Sequence, residues 1–457
     1  MLCRRECVAF LEYARQLGKK VYILSDMYYR KTDLKILCDQ IGLTFDESEI
    51  ISSCDIQASK ESGKAFSYLI SLMGGNKDSI LHIGDNIAND YKKAKESGID
   101  SIHILSSYEM MLHSSLAIML SDVSSYEKRC FVGLLISNIF NSPFILNRTK
   151  GKVTITEFKQ FGFFLGAIFY CFSCWMIREA ENQGIEQLIL PGRDGWLIKE
   201  ILDILKPRFR YVYISASRRA YELAVISNVK DILRIMEKEN DFKGTKEQFF
   251  MTRFNLVMDE SKSESDIQAD ILNESSYQRE CLLDYFRKMG IREHCINGVF
   301  DCVASGTVHL CLEKLLESKI QGFYFGVMSP KKDKLSILSA FGTVSNYNMK
   351  SNVLEHYFLI ENLLSEMSGT FIGFCDGEMV YEDNVPSDKL PDIQDGILQF
   401  IWDVANYVNV DLIPFAYCDE IMCSVFSSKI NFSEEIKEVF VYDDYYLGEN
   451  SQIRIWQ

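Results

Sequence analysis

The stretch SILHIGDNIANDYKKAKESGIDSIHIL, residues 79–105, decides the fold. Ile80–Ile83 is a short apolar run that stops on Gly84 and Asp85, and an Asn- and Asp-rich turn follows. NDYKKAKESG (89–98) has the composition of a helix closed by glycine, and SIHIL (101–105) is apolar again. Strand, acidic turn, helix, strand is the βα unit of a parallel sheet. Toward the N-terminus the same grammar repeats: an amphipathic helix over 3–17, the β-rich run KVYILSD (20–26), a second short strand in ESEIISS (47–53), and a helix in SKESGKAFSYLISLM (59–73). The spacing predicts an α/β fold with a parallel, Rossmann-like sheet.

A chain of 457 residues exceeds the roughly 250 to 300 at which one core stops growing, so two or three domains are expected. The boundaries suggested by composition are 1–125 for a first domain, 126–154 for a connector that ends in NSPFILNRTKGK, 155–370 for a larger α/β domain with a charged helical insert at 228–292, and 371–457 for a C-terminal extension. The net charge of −15, from 49 Lys and Arg against 64 Asp and Glu, argues against a grip on nucleic acid or anionic lipid, but leaves small anionic ligands open. Fourteen scattered cysteines and a start, MLCRRECVAF, without the apolar core of a signal peptide predict reduced thiols in a cytoplasmic protein. Cys171 and Cys174 read as buried small residues of a helix over about 155–182. Its core, Phe161–Ile177, is uncharged and close to the length that crosses a bilayer, yet its glycines, cysteines and serine and the lack of flanking basic clusters favour a buried central helix over a membrane span.

Three residues at strand ends carry the chemistry of the first region: Ser25 closing VYILS, Lys60 before the helix of ASKESGKAF, and the turn GDNIAND with Gly84, Asp85 and Asp90. Lys64, one turn beyond Lys60, competes for the lysine role. In this order they resemble the second, third and fourth motifs of the haloacid dehalogenase superfamily. The resemblance implies a Mg²⁺-dependent hydrolase acting on a phosphomonoester. A phosphoryl group in flight spreads charge over its oxygens, so a hydroxyl donor (Ser25), an ammonium (Lys60) and a metal held by Asp85 with support from Asp90 form the expected clamp. Gly84 is expected where the backbone turns sharply out of the strand.

The same resemblance exposes a gap. The family's first motif, DxDxT on a central strand, supplies the nucleophile, and nothing among the 24 residues before Ser25 matches it; Asp26 follows the serine and has no strand of its own. The strands carrying Ser25 and Gly84 would normally flank that strand. They are expected to close on one another, to receive another segment, or to leave backbone groups unpaired. EVFVYDD (438–444), an apolar run ending in Asp443 and Asp444, is the candidate within this chain. Three accounts are open: a truncated or misassigned start, a degenerate scaffold, or a separate polypeptide that supplies the strand. Each predicts little phosphatase activity from this chain alone.

The second region repeats strand, polar turn and helix. EQLILPGRDGWLIKEILDIL (186–205) presents Arg193, Asp194 and Gly195; RYVYISASRRAYELAVI (210–226) presents Ser217, Arg218 and Arg219; INGVFDCVASGTVHLCLEKLL (296–316) presents Asp301, Ser305, Gly306 and Thr307. Open α/β sheets bind ligands beyond the carboxyl ends of their strands, and arginines there with small residues at a helix start suit a sugar phosphate or nucleotide. VFDCVASGT is similar to the diphosphate-binding loop of phosphoribosyltransferases, with one acid where that loop has two and one residue fewer before the turn. Through about residue 370 the chain looks like bacterial proteins of surface-polysaccharide loci, which implies sugar-phosphate chemistry. The alternative to a hydrolase is therefore a non-hydrolytic binding or glycosyl- or phosphoribosyl-transfer protein that acts through its second domain. The six histidines show no metal-site spacing, and Glu355, Glu361 and Glu366 read as solvent-facing.

Overall fold

A computed structural model describes the chain apart from residues 1–2, 122, 148–150, 238–241, 243, 293, 329–333, 345–350, 409–414, 428–429, 444–451 and 457. It divides into two compact units, residues 1–155 with 429–431, and residues 156–428 with 432–457. The fold is α/β, with parallel strand pairing in both units.

In the first unit α1 (Arg5–Gln16) leads to β1 (Ile23–Ser25), α2 (Lys31–Gln40) to β2 (Ile50–Ser52), and α3 (Lys64–Leu72) to β3 (Leu81–Gly84), which is followed by β4 (Asp100–His103). β1 pairs in parallel with β2, and β3 with β4, but the two pairs are separate sheets. Each has its own small core. Leu34, Cys38, Phe45 and Ile50 pack with Val21 and Ile23 under the first, while Phe66, Ala94 and Ile99 pack with Leu24 and Ile80 under the second. The sheet expected from the sequence is thus divided between the strands that carry Ser25 and Gly84.

The second unit opens with α4 (Phe158–Asn182), the one helix among the described residues long and apolar enough to cross a membrane; most of it is buried in protein. It lies against one face of a six-stranded parallel sheet built from β5 (Gln187–Pro191), β6 (Arg210–Ile214), β7 (Asn297–Ala304), β8 (Gln321–Met328), β9 (Ser336–Ser339) and β10 (Thr343–Val344). Phe172 stacks on Phe325 of β8 at 3.8 Å and meets Phe300 of β7 edge-on. Near-continuous apolar runs such as QLIL and GFYFGV are what a parallel sheet covered on both faces requires.

The strand order is β9-β8-β7-β5-β6, with β10 also on β8. The chain runs from β5 through α5 (Gly195–Leu205) to β6. It then crosses through α6 (Arg218–Ala224) and α7 (Glu264–Met289) back to β7 on the other side of β5, and proceeds through α8 (Thr307–Leu315) to β8. Strand order reverses between β5 and β7, which places the topological switch point there. Ser217 caps α6 by accepting from the Ala220 N–H at 3.1 Å, and Gly290, at φ +74°, closes α7 in the left-handed conformation.

Beyond the sheet come α9 (Tyr357–Leu364), the hairpin β11 (Phe371–Cys375) and β12 (Glu378–Tyr381), then α10 (Leu390–Asp403) and α11 (Phe415–Phe426). α10 packs along α4 at glycines. A Cβ on Gly162 would run into the Ile393 carbonyl, and one on Gly396 into the Lys159 carbonyl, so the backbones touch. The EVFVYDD segment does not fill the gap in the first sheet: β13 (Val441–Asp443) pairs antiparallel with β14 (Gln452–Arg454), and Asp444 lies outside the described residues.

Candidate functional site

The residues read from the first region come together at the carboxyl ends of β1 and β3. Ser25 ends β1, its hydroxyl accepting from the Met27 N–H at 3.2 Å. Both of its chain neighbours touch Lys60. The Lys60 ammonium donates to the Leu24 carbonyl at 3.5 Å, and the Lys60 backbone N–H donates to both Asp26 carboxylate oxygens at 3.0 Å. Asp26 thereby fixes the loop that presents the lysine. The ammonium also reaches Asp90 Oδ1 at 2.6 Å and so links the end of β1 to the turn after β3. Lys64 is exposed at the first residue of α3.

Asp90 is buried and spends both oxygens on protein donors. Oδ1 accepts from Lys60 and from His82 Nε2–H at 2.9 Å, and Oδ2 accepts from the Asn86 N–H at 3.0 Å. Burial alone would push its carboxyl up; the hydrogen bonds from His82, Lys60 and Asn86 hold it well below the ordinary range instead. Asp90 thus orients Lys60 and the turn. Gly84 is needed for a different reason from the sharp bend expected of it: its φ is not positive, and a Cβ there would come within 2.6 Å of Asp90 Cβ. The absent side chain makes room for the carboxylate. Asp85 is exposed, and its carbonyl accepts from His103 Nε2–H at 2.9 Å.

His82 belongs to this network, a role that the absence of metal spacing concealed. The signal lay in the period of the strand: His82 and Gly84 are two apart on β3, hence on one face, and Asp90 covers that face.

Residues 3–98 match the family model described as haloacid dehalogenase-like hydrolase. This segment is haloacid dehalogenase-like. No curated protein matches the chain.

Hydrolases of the haloacid dehalogenase type imply Mg²⁺, which takes one or two carboxylates and keeps waters and substrate oxygens for the remaining positions. Here Asp85 offers one exposed carboxylate while Asp90 is engaged, and among the described residues no group of three or more His, Cys, Asp or Glu is placed to hold an ion. Among the described residues, this chain by itself supplies an incomplete donor set for the metal.

In the second unit the strand ends gather a different set. Arg193 and Asp194 follow β5, Arg218 starts α6 after β6, and Asp301 sits in β7, whose end leads through Ser305 and Gly306 into α8 at Thr307. Burial, then the charge of Asp301, pushes the Asp194 carboxyl up to about 7 against the pull of Arg193 and Arg218. Burial pushes Asp301 up to about 6 against Arg218. Gly306, at φ +80°, is fenced by Leu335 and the Tyr324 hydroxyl, so only glycine fits that turn.

Ser217 serves as the α6 cap, and Arg219 is held by Glu382 at 3.0 Å, Asn255 Oδ1 at 3.0 Å and the Met251 carbonyl at 2.8 Å, which makes it a strut for the hairpin. Glu361 and Glu366, expected to face solvent, are half-buried beside this cluster: Glu366 accepts from the Tyr213 hydroxyl at 2.8 Å, and the charge of Glu361 acts on Asp301. Helical periodicity could not show which end of the sheet α9 would meet.

The raised Asp194 carries a sign. The folded chain binds more protons than the unfolded one between the unfolded value of about 3.9 and about 7, so this group erodes stability as pH rises through that window. Asp194→Asn is expected to stabilise the second unit at pH 8 relative to wild type by on the order of 1 to 2 kcal/mol, and by much less at pH 5. Urea midpoints at the two pH values check this; equal destabilisation at both would mean that the carboxylate is needed as a loop acceptor.

Proposed function

We propose that the first unit is a phosphatase-type hydrolase centre for a phosphomonoester, a sugar phosphate being the substrate class most in keeping with the sequence. In this reading the centre lacks its nucleophile in this chain and gains it from a strand that enters between β1 and β3. The observation that carries the reading is the divided sheet: two parallel pairs whose facing strands end in Ser25 and in the Gly84–Asp90 turn, joined across the gap by Lys60. Ser25 would donate its hydroxyl to a phosphoryl oxygen, and the Lys60 ammonium, aimed by Asp90, would offset the charge that grows on the phosphoryl group. Asp85 would contribute one carboxylate to Mg²⁺. The incoming strand would bring the attacking carboxylate and a second metal ligand. The thiols and the acidic balance fit a reducing, cytoplasmic setting.

The test compares p-nitrophenyl phosphate hydrolysis, with and without Mg²⁺, by the chain as it stands and by a version extended at its N-terminus with an apolar strand ending in Asp-x-Asp-x-Thr. The chain alone is expected to stay near background. The extended form is expected to turn over at least 100-fold faster, and Asp85→Asn or Lys60→Ala should abolish the gain. Strong Mg²⁺-dependent turnover by the chain alone would show that it already holds a nucleophile and would overturn the reading.

A further inference from the structure

The second unit has a cavity of about 280 Å³ at the carboxyl edge of its sheet, and Arg193, the second residue after β5, lines it. Its walls come from two places. Glu361, Asn362 and Ser365 are carried by α9 and the residue after it, while Asp383, Asn384 and Ser387 belong to the loop between β12 and α10. Apolar side chains, Val385, Leu390 and Phe440 among them, floor it. Arg193 brings the carboxyl end of β5 into its wall, the end of the strand at which open α/β sheets hold their ligands. The cavity also has the make-up of a built site, concave and partly apolar with a few converging polar groups.

The lining narrows the ligand. The Asn384 amide is spent on Thr370 and Glu382, the Asn362 amide donates to the Phe358 carbonyl and the Ser365 hydroxyl to the Glu361 carbonyl, which leaves the lining richer in acceptors, its carboxylates among them, than in donors and suits a ligand that presents hydroxyl groups. Among the described residues of the lining, Arg193 is the only cation. Its guanidinium makes one long hydrogen bond, to the Asn384 carbonyl at 3.4 Å, so most of its planar fork is uncommitted to described protein atoms. Arg218 at the end of the next strand adds positive charge on the side of the Asp194–Asp301 pair.

We infer that this cavity binds a small polyhydroxylated ligand carrying one anionic group, phosphate or carboxylate, seated on Arg193. The site lies in the second unit, outside the haloacid dehalogenase-like segment, and stands whether or not the first unit hydrolyses anything.

The test is calorimetric titration of the full chain with glucose, glucose 6-phosphate and glucuronate, repeated with Arg193→Ala, Arg193→Lys and Ser25→Ala. At least one anionic sugar is expected to bind tenfold or more tightly than glucose, and which one does so identifies the anionic group. Arg193→Ala should erase that preference. Arg193→Lys, which keeps the charge and loses the fork, should erase most of it while the thermal midpoint stays put, and Ser25→Ala should leave it intact. Three results would each overturn the inference: no binding of either anionic sugar at 10 mM, equal affinity for glucose, or a preference that survives Arg193→Ala but falls with Ser25→Ala.

Discussion

Asp90→Ala is expected to destabilise the first unit by about 3 to 5 kcal/mol, the cost of removing one partner from a buried charge pair. The substitution strands the Lys60 ammonium, whose side chain is 13% exposed, and the His82 ring, 10% exposed, in a space that no longer holds a carboxylate. It also releases the Asn86 N–H that closes the turn. Asp90→Asn fills the volume and can still accept one hydrogen bond, so about half that loss is expected.

The measurement separates the units without cutting the chain. All four tryptophans, Trp175, Trp196, Trp402 and Trp456, belong to the second unit. In Asp90→Ala an early urea transition should appear in far-ultraviolet circular dichroism while the tryptophan-fluorescence transition stays in place. Coincident, unshifted transitions would mean that Asp90 is not the keystone described above. A pH arm follows with a definite sign. The native carboxyl is held below its unfolded value, so its contribution is present above about pH 4 and is lost as pH falls below that. Wild type should therefore lose first-unit stability on acidification, and Asp90→Ala should show a flatter profile.

Gly162→Ala and Gly396→Ala are each expected to cost the second unit about 3 kcal/mol or more, the upper end of the overpacking range, because the added methyl meets backbone. Side chains can change rotamer, but the Ile393 and Lys159 carbonyls cannot move unless the two helices part. Parting them would open the packing of Phe163 on Phe400, at 5.3 Å, along the same seam. Tryptophan fluorescence in urea gives the midpoints. The two changes should be strongly non-additive, since either one already separates the same helix pair. Gly133→Ala, in the first-unit helix Tyr126–Ile139 with nothing within 4 Å of its added methyl, is the control and should leave the tryptophan midpoint where it is. A loss below 0.5 kcal/mol at Gly162 or Gly396 would show that α4 and α10 do not meet there in solution.

Much of the architecture was legible beforehand because hydrophobic period and turn chemistry are local properties. KVYILSD, ESEIISS, SILHIGD and SIHIL each became a strand, and LILPG, YVYIS, GVFDCVA and GFYFGVM became core strands of the second sheet. The order of Ser25, Lys60 and Gly84–Asp90 pointed to the family for the same reason: strand-end residues are set by where apolar runs stop. What those residues do was decided elsewhere. Asp90 looked like a metal partner by position, but His82, eight residues earlier, and Lys60, thirty residues earlier, claim it, and only the folded chain brings the three together.

The purpose of the glycines was equally hidden. Gly84, Gly162 and Gly396 are wanted for what lies across from them, a carboxylate in one case and a backbone carbonyl in the others, and no window of neighbouring residues contains that information. Nor could period show that EVFVYDD would pair with residues 452–454, or that Glu361 would turn from a solvent face into the wall of a cavity beside Arg193. By itself the sequence determined which segments are strands and helices and what chemistry sits at their ends, because propensity and burial pattern act over a few residues. The tertiary structure alone decided strand order, the divided first sheet and the partners of each charged group, because these depend on distances between segments far apart in the chain.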